Sequence, residues 1–356
     1  MVQGLLWDVF CRVVDNFGDI GVCWRLACDL ASRGERVRLW TTDSTALAWM
    51  APQGHRGVEV LAWKDAAACA QNGDVVVETF GCDLPESVLQ CMAQRAPAPL
   101  WINLEYLSAE GYAVASHALP SPQWAGPAKG LTKWFYFPGF LAGTGGLLRE
   151  PDLATRQRQF ETTAWLARQG LAPTRDERVV SLFCYEASAV AALLDLLAAA
   201  PTLLLATAGP AARQVSAALG NTMRRGALRA VTLPHLTQLN YDHLLWASDL
   251  NIVRGEDSWV RAQWAGRPLI WQPYVQDDGA HVTKLSAFLD LYLENAPKAL
   301  AASVREVWLG WNAPIGSPLT LPSLPDWHRH ALLWRESLLR QDDLVTRLLG
   351  FARENR

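Results

Sequence analysis

The sequence predicts an α/β protein made of two successive Rossmann-like halves. Short apolar runs alternate with amphipathic helical stretches from the start of the chain to about Ala115. The alternation breaks between Ala115 and Glu150, where proline and glycine recur, and restarts at "RVVSLFCYE". At 356 residues the chain is too long for one ordinary core and suits two.

In the first half, "LLWDVFCRVV" reads as a strand, Ile20 to Ser32 as an amphipathic helix, and "RVRLWTT" as a second strand. "VEVLAW", "DVVVETF" and "PLWINLEYL" follow as further short apolar runs. Strand–helix–strand alternation argues a parallel sheet covered on both faces. The stretch from Ala115 to Glu150 reads as a long irregular connection, with the aromatic run "KWFYFPGF" unassigned within it. A helix is expected from Ala154 to Gly170. The second half then offers "RVVSLFCYE", a helix over Ala189–Ala199, "TLLLAT", a helix after Gly209, "LRAVTLP", a helix around Tyr241–Ala247, "DLNIVR", another helix and "PLIWQP". The expected division is 1–150, 151–325 and a helical segment, 326–356, that packs back on the first half. Carboxyl ends of strands from both halves would line a central cleft.

Composition removes several classes. A net charge of −3 provides no basic field for holding nucleic acid by counterion release. The seven cysteines form no CxxC pair and no disulfide framework. No signal peptide is legible at the start, and no apolar run reaches the roughly 18–20 residues that cross a bilayer. A soluble, cytoplasmic protein without membrane association is expected. Most of the 17 tryptophans are expected in the core, where a large aromatic fills gaps between elements.

The first chemical motif is "VVDNFGDIGVCWRLA", with Asp15 and Asp19 on the bend between strand and helix. Asn16, Phe17 and Gly18 lie between them, and amides at a helix start suit an anion. Two carboxylates there can bind a cation, orient a hydroxyl or amine, or act as a general base. Either one alone would equally serve as a helix N-cap.

The second motif is "SDLNIVRGEDSWVRAQWAGRPLIWQP", which reads strand, tight turn, helix, strand. Arg254, Glu256, Asp257, Ser258 and Trp259 occupy the strand end and the first helical turn, where free amides and the helix dipole favour a diphosphate. Acidic residues in a first turn are also ordinary capping chemistry. The third group is aromatic: Phe183, Tyr185, His235 and Tyr241, with Gln238 nearby, stand at or just past strand ends and suit a flat base. Core packing is the competing reading for each. No phosphate loop, GxGxxG, HExxH or GxSxG motif is present, and His281 in "DDGAH" has no metal-ligand spacing.

Taken alone, these residues describe a two-domain α/β enzyme that binds a nucleotide-like anion. Together, "DNFGDIGVCWRLA", "SLFCYE" and "NIVRGEDSWVRAQWAGRPLIWQPYVQ" resemble the EarP family of protein-arginine rhamnosyltransferases, in order and over nearly the whole chain. The resemblance implies a GT-B type glycosyltransferase, two Rossmann-like domains facing a central cleft. It implies inverting, metal-independent transfer of L-rhamnose from dTDP-β-L-rhamnose to an arginine of elongation factor P. The N-terminal domain would receive the protein acceptor and the C-terminal domain the nucleotide sugar.

By the same resemblance Asp15, Asp19 and Glu256 are the essential carboxylates. Tyr241 and Phe183 or Tyr185 stack on thymine, Gln238 meets the base edge, and Asp257 and Ser258 form the donor-side turn. His235 stands where the family pattern has a phenylalanine. Two alternatives stay open on the residues alone: a nucleotide-sugar transferase for a small-molecule or glycan acceptor, and a nucleotide-binding protein without catalysis. Three clustered carboxylates exceed what the second requires.

Overall fold

The structure is a computed structural model that describes residues 4–15, 17–68, 71–276, 279–314 and 318–356. The chain divides into two units: residues 1–151 with 341–356, and residues 152–340. The segment 326–356 is thereby split. The helix Leu324–Leu339 belongs to the second unit and the helix Leu344–Glu354 to the first.

The first unit is built on seven strands among the described residues: β1 (Leu6–Cys11), β2 (Arg36–Thr41), β3 (Val58–Ala62), β4 (Val75–Thr79), β5 (Leu100–Leu104), β6 (Leu119–Pro122) and β7 (Thr132–Tyr136). Their order is β3-β2-β1-β4-β5-β7-β6, parallel throughout except that β6 runs antiparallel to β7. Period-two alternation sorts the side chains between two cores. Trp7, Val9 and Cys11 face the helices Gly18–Ser32 and Leu344–Glu354 through Ile20, Leu26, Leu30, Val345 and Leu348. Phe10, Val76 and Trp101 face the other way, under Val88 and Met92 of the helix Glu86–Gln94.

The stretch expected to be irregular contains β6 and β7. Pro120 and Pro122 hid β6, yet both lie on an edge strand, where a missing N–H breaks no ladder on the open side. The run "KWFYFPGF" forms β7 and enters the core: Tyr136, Phe137 and Phe140 are buried, and Trp134 and Tyr136 meet Phe351 edge-on at 5.4 and 5.5 Å. The single helix expected over 154–170 is two short ones, Leu153–Arg158 and Thr162–Arg168.

The second unit repeats the plan with β8 (Arg178–Leu182), β9 (Thr202–Ala206), β10 (Arg224–Arg225), β11 (Leu228–Thr232), β12 (Leu250–Arg254) and β13 (Leu269–Gln272). Their order is β10-β11-β9-β8-β12-β13, parallel apart from the β10–β11 hairpin. Leaving aside the β7–β6 edge pair of the first sheet and β10 of the second, both sheets follow the 3-2-1-4-5 order of a Rossmann half, which reverses between β1 and β4 and between β8 and β12.

Tryptophans fill the second core. Trp259 and Trp271 stack at 3.6 Å with planes 6° apart, and Phe288 closes on both edge-on. Among the described tryptophans, Trp124 departs from that pattern at 83% exposed. The helices Gln238–Ala247 and Asp257–Ala265 are joined by a fully buried bidentate pair. In it Arg261 Nε donates to Asp242 Oδ1 at 2.9 Å and its Nη2 to Oδ2 at 2.6 Å.

Removing one partner of a buried ion pair strands the other charge. Asp242→Ala is therefore expected to destabilise the protein by about 3–5 kcal/mol, read as a lowered urea midpoint.

Candidate active site

The first strand-order reversal carries the two aspartates. The chain leaves β1 at Cys11, bends, and enters the helix Gly18–Ser32. Within the bend, Gly18 N donates to Asp15 O at 3.1 Å. Asp19 is 4% exposed, and its Oδ2 accepts the amides of Val14 at 2.8 Å and Asp15 at 2.9 Å. The N-cap position is Phe17, so neither aspartate caps the helix. Asp19 reaches back from the first turn and fixes the bend on which half-buried Asp15 stands. Phe17 packs edge-on against Trp49 at 5.2 Å. Asn16 lies outside the described residues.

Gly18 gives space to a neighbouring side chain rather than a left-handed turn to the backbone. Its φ is not among the positive values of the chain. A Cβ there would sit 2.5 Å from Asp15 Oδ2, closer than any real contact. The glycine makes room for the Asp15 carboxylate beside the helix start.

The second reversal gathers the aromatic and basic candidates. Phe183 and Tyr185 follow β8, and Arg254 ends β12. The Arg254 guanidinium is buried against both rings, 4.5 Å from the centroid of Phe183 and 4.2 Å from that of Tyr185. Cation–π contact favours this arrangement, and it holds a positive charge at the strand end. Tyr241 meets Phe183 edge-on at 5.5 Å, so three of the four aromatic candidates share one cluster with Arg254. Burial pushes the Tyr241 hydroxyl well above its ordinary pKa. His235 is exposed in the loop after β11, and Gln238 is half-buried at the first position of the helix Gln238–Ala247.

The turn after β12 is rigidly held. Gly255 has φ +62°, a left-handed conformation that suits glycine. Its amide donates to Gln272 O at 3.1 Å and its carbonyl accepts Trp271 Nε1 at 2.7 Å. Ser258 Oγ donates to the Arg254 carbonyl and accepts the Arg254 amide at 3.1 Å, so its hydroxyl proton serves the backbone. Trp259 is fully buried in its stack with Trp271 and offers a ligand its amide alone. Glu256 and Asp257 are half-buried at the start of the helix Asp257–Ala265, and Glu256 Oε1 pairs with Lys284 Nζ at 2.9 Å.

Several supporting residues were not legible from the sequence. Lys284 lies 28 positions from Glu256. Gln272, at the carboxyl end of β13, accepts the Tyr185 amide at 2.9 Å and donates to Glu186 O at 3.3 Å. Tyr274 meets Tyr185 edge-on at 5.6 Å. Strand-end position was the available signal for Gln272, and nothing local marked Lys284. His281 accepts the Gln276 amide at 3.2 Å, a turn-fixing bond, while Asp277 and Asp278 lie outside the described residues.

Two Rossmann sheets, each with polar candidates at its reversal, are the arrangement of the GT-B glycosyltransferase fold. Spinosyn forosaminyltransferase SpnP shares the fold, with TM-score 0.52 over 98% of this chain and 100% of its own at 11% identity. Residues 7–353 match the family described as Elongation-Factor P (EF-P) rhamnosyltransferase EarP, and the chain belongs to that family. The protein-arginine rhamnosyltransferase of Pseudomonas aeruginosa is 45% identical, over 97% of this chain and 98% of that protein. The solved structure reported as the structural basis for EarP-mediated arginine glycosylation of translation elongation factor EF-P is 31% identical. It has TM-score 0.70 and covers 99% of this chain and 100% of its own. Among the described residues no helix is long and apolar enough to cross a membrane.

Gly18→Ala tests the room given to Asp15. Alanine favours the helix by up to about 1 kcal/mol. The expected result is an unlowered melting temperature with activity reduced by the order of 10²-fold, because the carboxylate is displaced.

Proposed function

We propose that this protein transfers L-rhamnose, with inversion, from dTDP-β-L-rhamnose to a guanidinium nitrogen of one arginine of elongation factor P. The observation that carries the reading is the family match over residues 7–353, which takes in the motifs at both strand-order reversals. The geometry supports a division of roles within each unit.

In the second unit, Arg254 and the amides of Asp257, Ser258 and Trp259 suit the diphosphate. Positive charge and prearranged N–H donors stabilise the oxyanion that develops as dTDP departs, by the logic of an oxyanion hole. No metal is required for that task. Phe183, Tyr185 and Tyr241 supply faces for thymine, with Gln238 at the base edge and His235 beyond the strand end. Glu256, which pairs with Lys284, would bind sugar hydroxyls or the acceptor.

In the first unit, the aspartates meet the nucleophile problem. A guanidinium is delocalised and keeps its proton with a pKa above about 12, so it is not deprotonated in advance. A carboxylate fork localises its positive charge on the far nitrogens and takes one proton as the C–N bond forms. Asp19 takes the proton and Asp15 orients the plane. Attack on the anomeric carbon from the face opposite the departing diphosphate inverts the configuration in a single displacement.

The primary test incubates the protein with dTDP-β-L-rhamnose and unmodified elongation factor P, then weighs the factor by intact mass spectrometry. One added deoxyhexose that maps to an arginine is expected. Addition to a small molecule or glycan, with none to the factor, would overturn the acceptor assignment.

Asp19→Asn keeps a carbonyl oxygen for the Val14 and Asp15 amides while removing the basic site. Turnover is expected to fall by about 10²–10⁴-fold with donor binding retained. Full activity is expected in excess EDTA, and a strict requirement for a divalent cation would contradict the amide-based account.

A further inference from the structure

The amino-terminal end of the second unit's sheet carries positive charge that the proposed reaction does not use. The helix Asp257–Ala265 starts at the turn after β12 and runs away from it for nine residues, roughly 13 Å. It stops at Gly266, whose amide donates to Gln263 O at 3.2 Å. Arg267 follows and leads into β13 from its amino end.

The helix Leu324–Leu339 lays a second arginine over that stop. A Cβ on Gly266 would lie 3.1 Å from both Cδ and Nη1 of Arg335, so the guanidinium rests directly on the glycine. His328 stands seven residues earlier on the same helix, two turns away on the same face. All three side chains are half-buried.

Their charge is poorly matched. Arg335 Nε is buried with no hydrogen-bond partner, and among the described residues its guanidinium forms no ion pair. Arg267 Nη2 donates to Trp246 O at a long 3.4 Å. The nearby carboxylates do not close on either arginine: Asp249 Oδ2 accepts the Val179 amide at 2.8 Å, and Glu336 is exposed. Burial lowers the proton affinity of Arg335, with Glu336 opposing and Arg267 reinforcing it. Burial also lowers that of His328, with Arg267 and Arg335 adding to the effect and Asp249 opposing it.

Attraction to a helix carboxyl end accounts for Arg267, whose bond goes to the last turn of the helix Gln238–Ala247. It does not account for Arg335 Nε, which reaches no carbonyl. A buried donor left unpaired in a native protein calls for an explanation, and a bound ion is one. A tetrahedral oxyanion accepts from several directions at once, and guanidinium forks match its geometry. We propose that Arg267, His328 and Arg335 form a binding site for a phosphoryl group, at the opposite end of the sheet from the strand-end candidates. The inference does not rest on the reaction proposed above.

The test is calorimetric titration with inorganic phosphate at constant ionic strength. Arg335→Met and Arg267→Met each keep an apolar stem and remove the guanidinium. Each is expected to raise the phosphate Kd about tenfold or more over the parent. Arg267→Met supplies the same reading if Arg335→Met fails to fold. Absence of phosphate binding to the parent, or binding that a folded variant retains in full, overturns the site.

Glycerol 3-phosphate titrated in parallel separates the two sources of the group. Binding comparable to that of inorganic phosphate, and lost in the same variants, assigns the site to a phosphorylated organic molecule. Binding of inorganic phosphate alone assigns it to the free ion.

Discussion

Both units depend on one topological constraint. When successive right-handed crossovers lay strands outward in one direction and then in the other, the two strands at the reversal send their chains to opposite faces of the sheet. No connection then covers their carboxyl ends. Polar residues at those ends remain reachable although the strands themselves are buried. In the first unit the uncovered ends are those of β1 and β4, followed by Asp15 and Phe80. In the second they are those of β8 and β12, followed by Tyr185 and Glu256. The side chains placed there differ, but the opening that admits a ligand is the same.

Around each opening, much of the polar inventory holds backbone in place. Asp19 fixes the bend that presents Asp15, and the Ser258 hydroxyl closes on Arg254 at both amide and carbonyl. Gln272 binds the chain on either side of the Tyr185–Glu186 peptide. The buried Asp242–Arg261 pair locks the helix that bears Tyr241 to the helix that begins at Asp257. Donors and dipoles arranged before the reaction need no reorganisation during it, and that is the source of most electrostatic catalysis.

Legibility in the sequence followed the range of the interactions. Strand and helix periodicity is local, so the alternation and both reversal motifs were readable. The edge pair β6–β7 was not, because prolines suppress the strand pattern where tertiary placement on an edge tolerates them. The glycine at position 18 is plain in the sequence, but the need for it comes from the Asp15 side chain folding back over it, which the sequence does not show. The Lys284–Glu256 pair joins residues whose proximity depends on the fold of the whole unit, and no window of sequence contains that information. The Ser258 hydroxyl is visible in the sequence, whereas its partner, the Arg254 backbone, is not.

The helix Leu344–Glu354 has a consequence for how the protein is made. It buries Leu344, Val345, Leu348, Leu349 and Ala352 in the first unit's core, and Arg33 Nη2 pairs with Asp343 at 2.7 Å just before it. Burying one such aliphatic side chain is worth about 1.5–3 kcal/mol, a large share of the marginal stability of a domain. During translation the ribosome delivers the first unit's seven strands early and its closing helix late. The second unit, continuous in the chain, is complete before the first. The nascent first sheet must therefore wait with one face only partly covered, by the helix Gly18–Ser32, while the protein's own second half is synthesised, and in that interval it is most exposed to aggregation and to chaperones.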